Sequence, residues 1–296
     1  MATYTLFDLT YRVARELGIL KEGVATGGST TTIIDTNERT EENDYWNSGT
    51  AWILKDAGGA GAAPEKEYAR ITDHVAATGT VTIGTLTAAV GAGDRYAVAD
   101  KWVPLNIIIS QINSALLDLG AVPIVDTTTV TIADQQTEYS LPVAAGLDLR
   151  QVLIQGQTTD SNDNRWKEIV GWHVLNAAPA GTPILVLDNQ YSTGYDLMLV
   201  YMGQHAMLSA STDALSEHVP IERVVYPAAL QCLYYLAQRT GWNKWDKFIG
   251  RFEQRVETIR QTRPIRIPRR PSKLMIINSD QNYGDGYDFE PDKVRV

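Results

Sequence analysis

Apolar positions recur at three- and four-residue intervals in four stretches of the chain and alternate over short runs elsewhere, so two kinds of element are expected. Between Thr5 and Gly18, Leu6, Leu9, Val13 and Leu17 form one helical stripe, and Gly18 stands where a helix would stop. The period returns in PLNIIISQINSALLDLG, where Ile108, Ile112, Ala115, Leu116 and Leu119 share a face and Pro104 suits a first turn. A third stretch, HVPIERVVYPAALQCLYYLAQRTGW, places Pro220 at a helix start and Pro227 at a kink or break. A fourth, WDKFIGRFEQRVETIRQTR, repeats Trp245, Phe248, Ile249, Phe252, Val256 and Ile259, and is expected to fold back on the third near Gly241.

The alternating runs fall into two groups. From Gly23 to Ala99, TTTIIDT, TAWILKD, EYARITDHVA, GTVTIGT and DRYAVAD are separated by Gly-containing turns, which reads as a small all-β module. In 127–208, TTVTIADQQTEYSLP has the shape of a hairpin, LRQVLIQG and RWKEIVGW flank the polar turn TTDSNDN, and PILVLDN and YDLMLVYMG flank QYSTG. After Arg263 four prolines and no helical period predict an extended arm. The expected fold is α+β. Residues 1–23, 102–126 and 209–263 form a helical bundle core from distant chain segments, 24–101 an inserted small β domain, 127–208 a second antiparallel β module, and 264–296 the C-terminal arm.

Composition narrows the function classes. In 296 residues, 26 Lys and Arg face 35 Asp and Glu, a net charge of −9, which argues against coating nucleic acid with the whole surface and makes any cationic work local. One cysteine, Cys232, excludes an intrachain disulfide framework and a Cys-clustered metal site. No apolar stretch approaches the length of a membrane span, and charged residues sit where a secretory apolar segment would lie, so a soluble protein without a targeting signal is expected.

Catalytic signatures fail one by one. Gly59-x-Gly61 is followed by Pro64 where a dinucleotide fingerprint needs its third glycine, and GTVTIGT lacks the lysine of a phosphate-binding loop. The Asp160–Asn164 run begins like a calcium loop but has Arg165 for the turn glycine and Gly171 for the bidentate glutamate. His74, His173, His205 and His218 are far apart, Cys232 lies on an apolar helix face, and no nucleophile elbow is present. No enzyme, cofactor or metal is expected.

Two features survive. Arg260, Arg263, Arg266, Arg269, Arg270 and Lys273 precede the apolar strip Leu274–Ile277, with Leu274, Ile276 and Ile277 as its aliphatic residues. Exposed apolar residues gain nothing in water, so the arm is expected to dock on another surface through its strip while the cations pair with acids; folding back on its own bundle is the competing expectation. Second, Tyr234, Tyr235, Trp242, Trp245, Phe248 and Phe252 exceed what a thin helical hairpin needs and fit a bundle packed against identical neighbours.

The phrases INSALLDLG, TEYSLP, WKEIVGW, PILVLDNQYSTGYDLMLVYMG and VPIERVVYPAALQCLYYLAQRTG, with the inserted β region 51–100, together resemble the head–tail adaptor, or neck, proteins of tailed bacteriophages over residues 1–263. The resemblance is one of layout and short phrases. It implies a virion structural protein assembled in the host cytoplasm: a homo-oligomeric ring, commonly twelvefold, below the portal protein. Such a ring joins the portal to the tail or tail-tube protein and encloses the channel through which DNA passes without sequence-specific binding. The arm 264–296 is similar in placement to arms that extend along the portal or neighbouring subunits. An acidic body suits such a conduit, because phosphate-neutralising cations along a channel would retard DNA. The alternative expectation is a tail-associated, β-rich host- or carbohydrate-binding protein using Trp46, Trp52 and Tyr68 as a sugar platform.

Overall fold

In the computed structural model, which describes residues 4–59, 61–133, 135–155, 166–175, 181–191, 196–241 and 244–269, the first apolar stripe forms helix α1 (Leu6–Glu16). Its Leu6, Leu9 and Val13 are buried, the Thr5 amide donates to the Asp8 carboxylate at 2.9 Å, and Gly18 takes a φ of 69° to leave the helix.

Seven antiparallel strands follow: β1 (Leu20–Val24), β2 (Gly27–Gly28), β3 (Thr32–Ile34), β4 (Thr50–Lys55), β5 (Tyr68–Val75), β6 (Thr80–Ile83) and β7 (Arg95–Ala99). They pair in the order β1-β7-β4-β5-β6-β3-β2. The two edge strands are consecutive in the chain. Ala25 and Thr26 join them: the Ala25 amide donates to the Asp94 carbonyl beside β7 at 2.8 Å and the Thr26 amide to the Ile34 carbonyl of β3 at 2.7 Å, so the chain passes directly from one edge of the curled sheet to the other. A shift of register between Ile71 and Asp73 lets β5 pair with β4 through its first half and β6 through its second. Ile33, Ile53, Ile71, Val81, Tyr96 and Val98 fill the interior.

One wall of this barrel is closed by a buried polar network. Arg39, wholly inaccessible, donates from Nε to the Tyr96 hydroxyl at 2.7 Å and from Nη2 to the Glu22 carbonyl at 3.0 Å, and Tyr96 donates to Asp35 Oδ2 at 2.6 Å. Gly23 is required beside them: a Cβ there would lie 2.7 Å from Asp35 Oδ2 and 2.8 Å from the Tyr96 hydroxyl.

After α2 (Leu105–Asp118), the elements β8 (Ala121–Asp126), β9 (Glu138–Ser140), α3 (Val143–Leu147), β10 (Leu149–Gln155), β11 (Trp166–Glu168), β12 (Trp172–Leu175), β13 (Ile184–Leu187) and β14 (Leu197–Gln204) build two further antiparallel sheets, β11-β10-β14-β8 and β12-β13-β9. Their inner faces share one core that includes Tyr139, Leu149, Val152, Leu185 and Leu199. LRQVLIQG and RWKEIVGW pair as expected, through β10 and β11, but the other two expected hairpins differ. β9 pairs with β13 and Thr131 bridges Asp196, so TTVTIADQQTEYSLP does not fold on itself, and the runs flanking QYSTG enter different sheets. An alternating pattern says which face is buried but leaves the partner open when each run is only three to eight residues long.

Helices α4 (Glu222–Thr240) and α5 (Asp246–Thr262) complete the chain's regular structure among the described residues. Pro227 lies inside α4 without ending it. Gly241, with φ 99°, follows α4.

The expected fold class is corrected by this architecture. Three antiparallel sheets with fourteen strands form the larger part of the architecture's layers, and the five helices, of 5 to 19 residues, do not form a bundle that carries a small β insertion. The physical reason lies in the largest apolar cluster. It joins Leu9, Ile112, Val224 and Leu233 of the helices to Trp52 and Ala99 of the barrel and Val122 of β8, so the helical faces are covered by sheet as well as by one another. The sheets also reach into segments read as helical: β1 begins at Leu20 and β8 occupies 121–126. No helix among the described residues is long and apolar enough to cross a membrane.

Candidate docking surface

The arm is launched from α5. Trp245 precedes that helix and donates from Nε1 to Thr240 Oγ1 at 2.7 Å, which ties its start to the end of α4. Ile249, Val256 and Ile259 are the buried residues of α5, and Val256 and Ile249 join the apolar cluster that holds Leu230 and Leu233 of α4. The Arg263 amide closes the helix on the Ile259 carbonyl at 2.9 Å. Pro264 then prevents further helical bonding, and Ile265 packs half-buried on the helical cluster.

Along this path Arg260, Arg263, Arg266 and Arg269 are all exposed. Arg260 reaches Glu257 only at 4.0 Å, with both side chains open to solvent, and Arg263, Arg266 and Arg269 form no ion pair among the described residues. Ile267, between two of them, is 56% exposed. Arg260 also borders a small groove with Arg223, Pro227 and Asp118. There, burial first and the Arg260 charge second lower the pKa of the Arg223 guanidinium, and Arg223 Nε is buried without a hydrogen-bond partner. Two like charges held together gain from an incoming carboxylate. The rest of the expected site, Arg270, Lys273, Leu274, Ile276 and Ile277, lies outside the described residues, as do the Asp160–Asn164 turn and Trp242.

A second feature escaped the sequence reading. Between α1, the start of α4 and the middle of α5 lies a cleft of about 490 Å³ whose charged lining is Asp8, Arg12, Arg15, Glu16, Glu222 and Arg255. Asp8 is committed to the start of α1, while Arg12 lies 4.8 Å over the Tyr4 ring and Arg255 5.2 Å over the Tyr226 ring. Tyr11 on its wall donates to Glu22 at 2.5 Å, and burial together with that carboxylate pushes its hydroxyl up to about 12. Its lining comes from 8–16, 221–226 and Arg255, segments too far apart in the chain for spacing to reveal it.

The sugar-platform residues are placed unfavourably for that role. Trp46 and Trp52 are 4% and 0% exposed, and Tyr68 stacks on Phe7 of α1 with ring centres 6.4 Å apart. Their rings are spent on the two cores. Cys232 is buried, and burial pushes its thiol up to about 12, away from nucleophilic ionisation. Among the described residues no group of three His, Cys, Asp or Glu is arranged to hold a metal ion. No protein-family model matches the chain, and no curated protein matches it.

Proposed function

We propose that the protein is a ring-forming head–tail adaptor of a virion, joining the portal to the tail around the DNA exit channel, with its C-terminal arm docked on the portal or on a neighbouring subunit. The observation that carries this reading is the stem of the arm. Four arginines three residues apart leave α5 in the open, three of them without an acidic partner among the described residues, and Ile265 anchors the chain as it departs. A cationic strip presented this way matches an acidic protein surface and adds contact area without enlarging the body. The net charge of −9 is compatible with a conduit, since the cations are gathered on α5 and the arm.

The reading also rests on the resemblance in layout to neck proteins. Deleting 264–296 and mixing the shortened chain with the portal protein of the same virus tests it: complex formation is expected to fall at least tenfold, and undiminished binding would remove the docking role. The carbohydrate-binding alternative has lost its platform, because two of its three rings are buried.

A further inference from the structure

The outer face of α5 carries a row that the arm does not include. Lys247 and Arg251 stand four residues apart and are exposed, and they form a ridge that Arg255 continues toward the cleft, where it lies over the Tyr226 ring. Beside it Phe248 is 50% exposed, supported by Trp245 with ring centres 6.1 Å apart. Of the three acids of α5, Glu253 accepts from the Tyr234 hydroxyl at 2.6 Å, Glu257 faces Arg260, and Asp246 stands in the first turn. The ridge is therefore basic and aromatic at once.

The chain holds a surface of opposite character. The barrel segment 20–99 carries eleven Asp and Glu against six Lys and Arg. At one corner, the Asp44 amide donates to the His74 carbonyl at 2.9 Å, and the His74 ring bonds the Glu42 carbonyl at 3.0 Å. These bonds hold the segment with exposed Glu42 and Asp44 to the end of β5, which carries exposed Asp73, and on the two segments Tyr45 is 50% and Val75 37% exposed. Tyr45 meets the buried Trp46 ring edge-on at 4.9 Å, so its position is fixed. The corner is acidic with an aromatic centre, the complement of the ridge in charge and in apolar content.

The corner stands away from the helices of its own copy. β5 starts at Tyr68, stacked on α1, and ends at Val75, about 20 Å farther at the usual rise per strand residue. We infer that the α5 ridge of one copy docks on the barrel corner of the next, with Lys247 and Arg251 facing Glu42 and Asp44 and Phe248 lying against Tyr45. Two different patches in contact make a heterologous interface, the kind that closes into a ring when the rotation between copies allows it. The inference rests on the proposed ring and assigns it an interface.

The test is a charge exchange on the full chain, read as oligomer mass in solution across protein concentration and salt. The wild-type protein is expected to associate, and more weakly as salt rises. K247E/R251E and E42K/D44K should each weaken association at least tenfold with unchanged circular dichroism, and the fourfold variant should recover most of it. Rings indifferent to either pair, or no recovery in the fourfold variant, overturn this interface while leaving the adaptor reading standing. Intact assembly with lost portal binding or lost retention of duplex DNA in K247E/R251E overturns it in favour of those partners. A wild-type chain monomeric at every concentration, alone and with portal, overturns the ring itself.

Discussion

Arg39 shows how much of the barrel depends on a single side chain. Its guanidinium is buried, bonded to Tyr96 and to two carbonyls of β1, and it lies 5.2 Å over the Tyr96 ring and 5.5 Å over Trp46. Removing it takes away the donor to the Tyr96 oxygen and to two β1 carbonyls and empties a buried site beside Glu41, so Arg39→Ala should cost about 3 kcal/mol or more in denaturant unfolding. A cost within that of a surface substitution would show that the network is decorative. Carboxylates set the acid limit. At Asp213, amide hydrogen bonds from Ser209 and Ala210 lower the pKa; at Asp126, burial pushes upward but the Thr129 and Thr128 hydrogen bonds prevail and hold it low. A carboxylate held low in the folded state contributes stability above its ordinary pKa of about 4, and loses it as pH falls through the lowered value. Melting temperature should therefore drop as pH falls below about 4, and Asp213→Asn should melt lower than wild type at pH 7 while showing a smaller acid drop. Parallel pH curves for the two proteins would contradict this. Little of this was legible beforehand: Arg39 reads as an ordinary charge in ERTEEND, because burial of a charge depends on partners 17 and 57 residues away.

At the scale of elements, the pieces were more legible than their assembly. The apolar stripes of α1, α2 and α5 and the runs that form β4, β5, β6 and β7 could be read from spacing, since each has one clear period. Of the kink or break expected at Pro227, the break does not occur: α4 runs on past it, because packing of Val224, Ala228 and Leu233 into the main core outweighs one lost backbone bond. What spacing could not give was the join between sheet and helix. Trp52, on β4, is wholly buried and donates from Nε1 to Thr10 Oγ1 of α1 at 3.1 Å. Trp52→Ala should cost about 3–5 kcal/mol, and Trp52→Phe, which keeps most of the ring volume, about 1 kcal/mol. Hydrogen exchange should speed up in α1 and β4 together in Trp52→Ala; faster exchange confined to β4 would show that barrel and helices are energetically separate.

For the molecule as a whole, the division of charge organises the account. Ten of the 26 cations fall between 244 and 273, around α5 and the stem of the arm, while the barrel segment 20–99 carries eleven acids against six cations. The sequence showed the arm's cations directly, whereas the α5 ridge emerged only once Lys247 and Arg251 were seen on the open side of a helix whose other side is packed. Such a division favours ordered contacts between copies and with an acidic partner over general grip on DNA. The most direct measurement is the mass and image symmetry of the full chain mixed with the portal protein that the proposed function assigns to it. The account predicts a closed ring bound coaxially to the portal through the arm; a chain that stays monomeric and leaves the portal bare would contradict it.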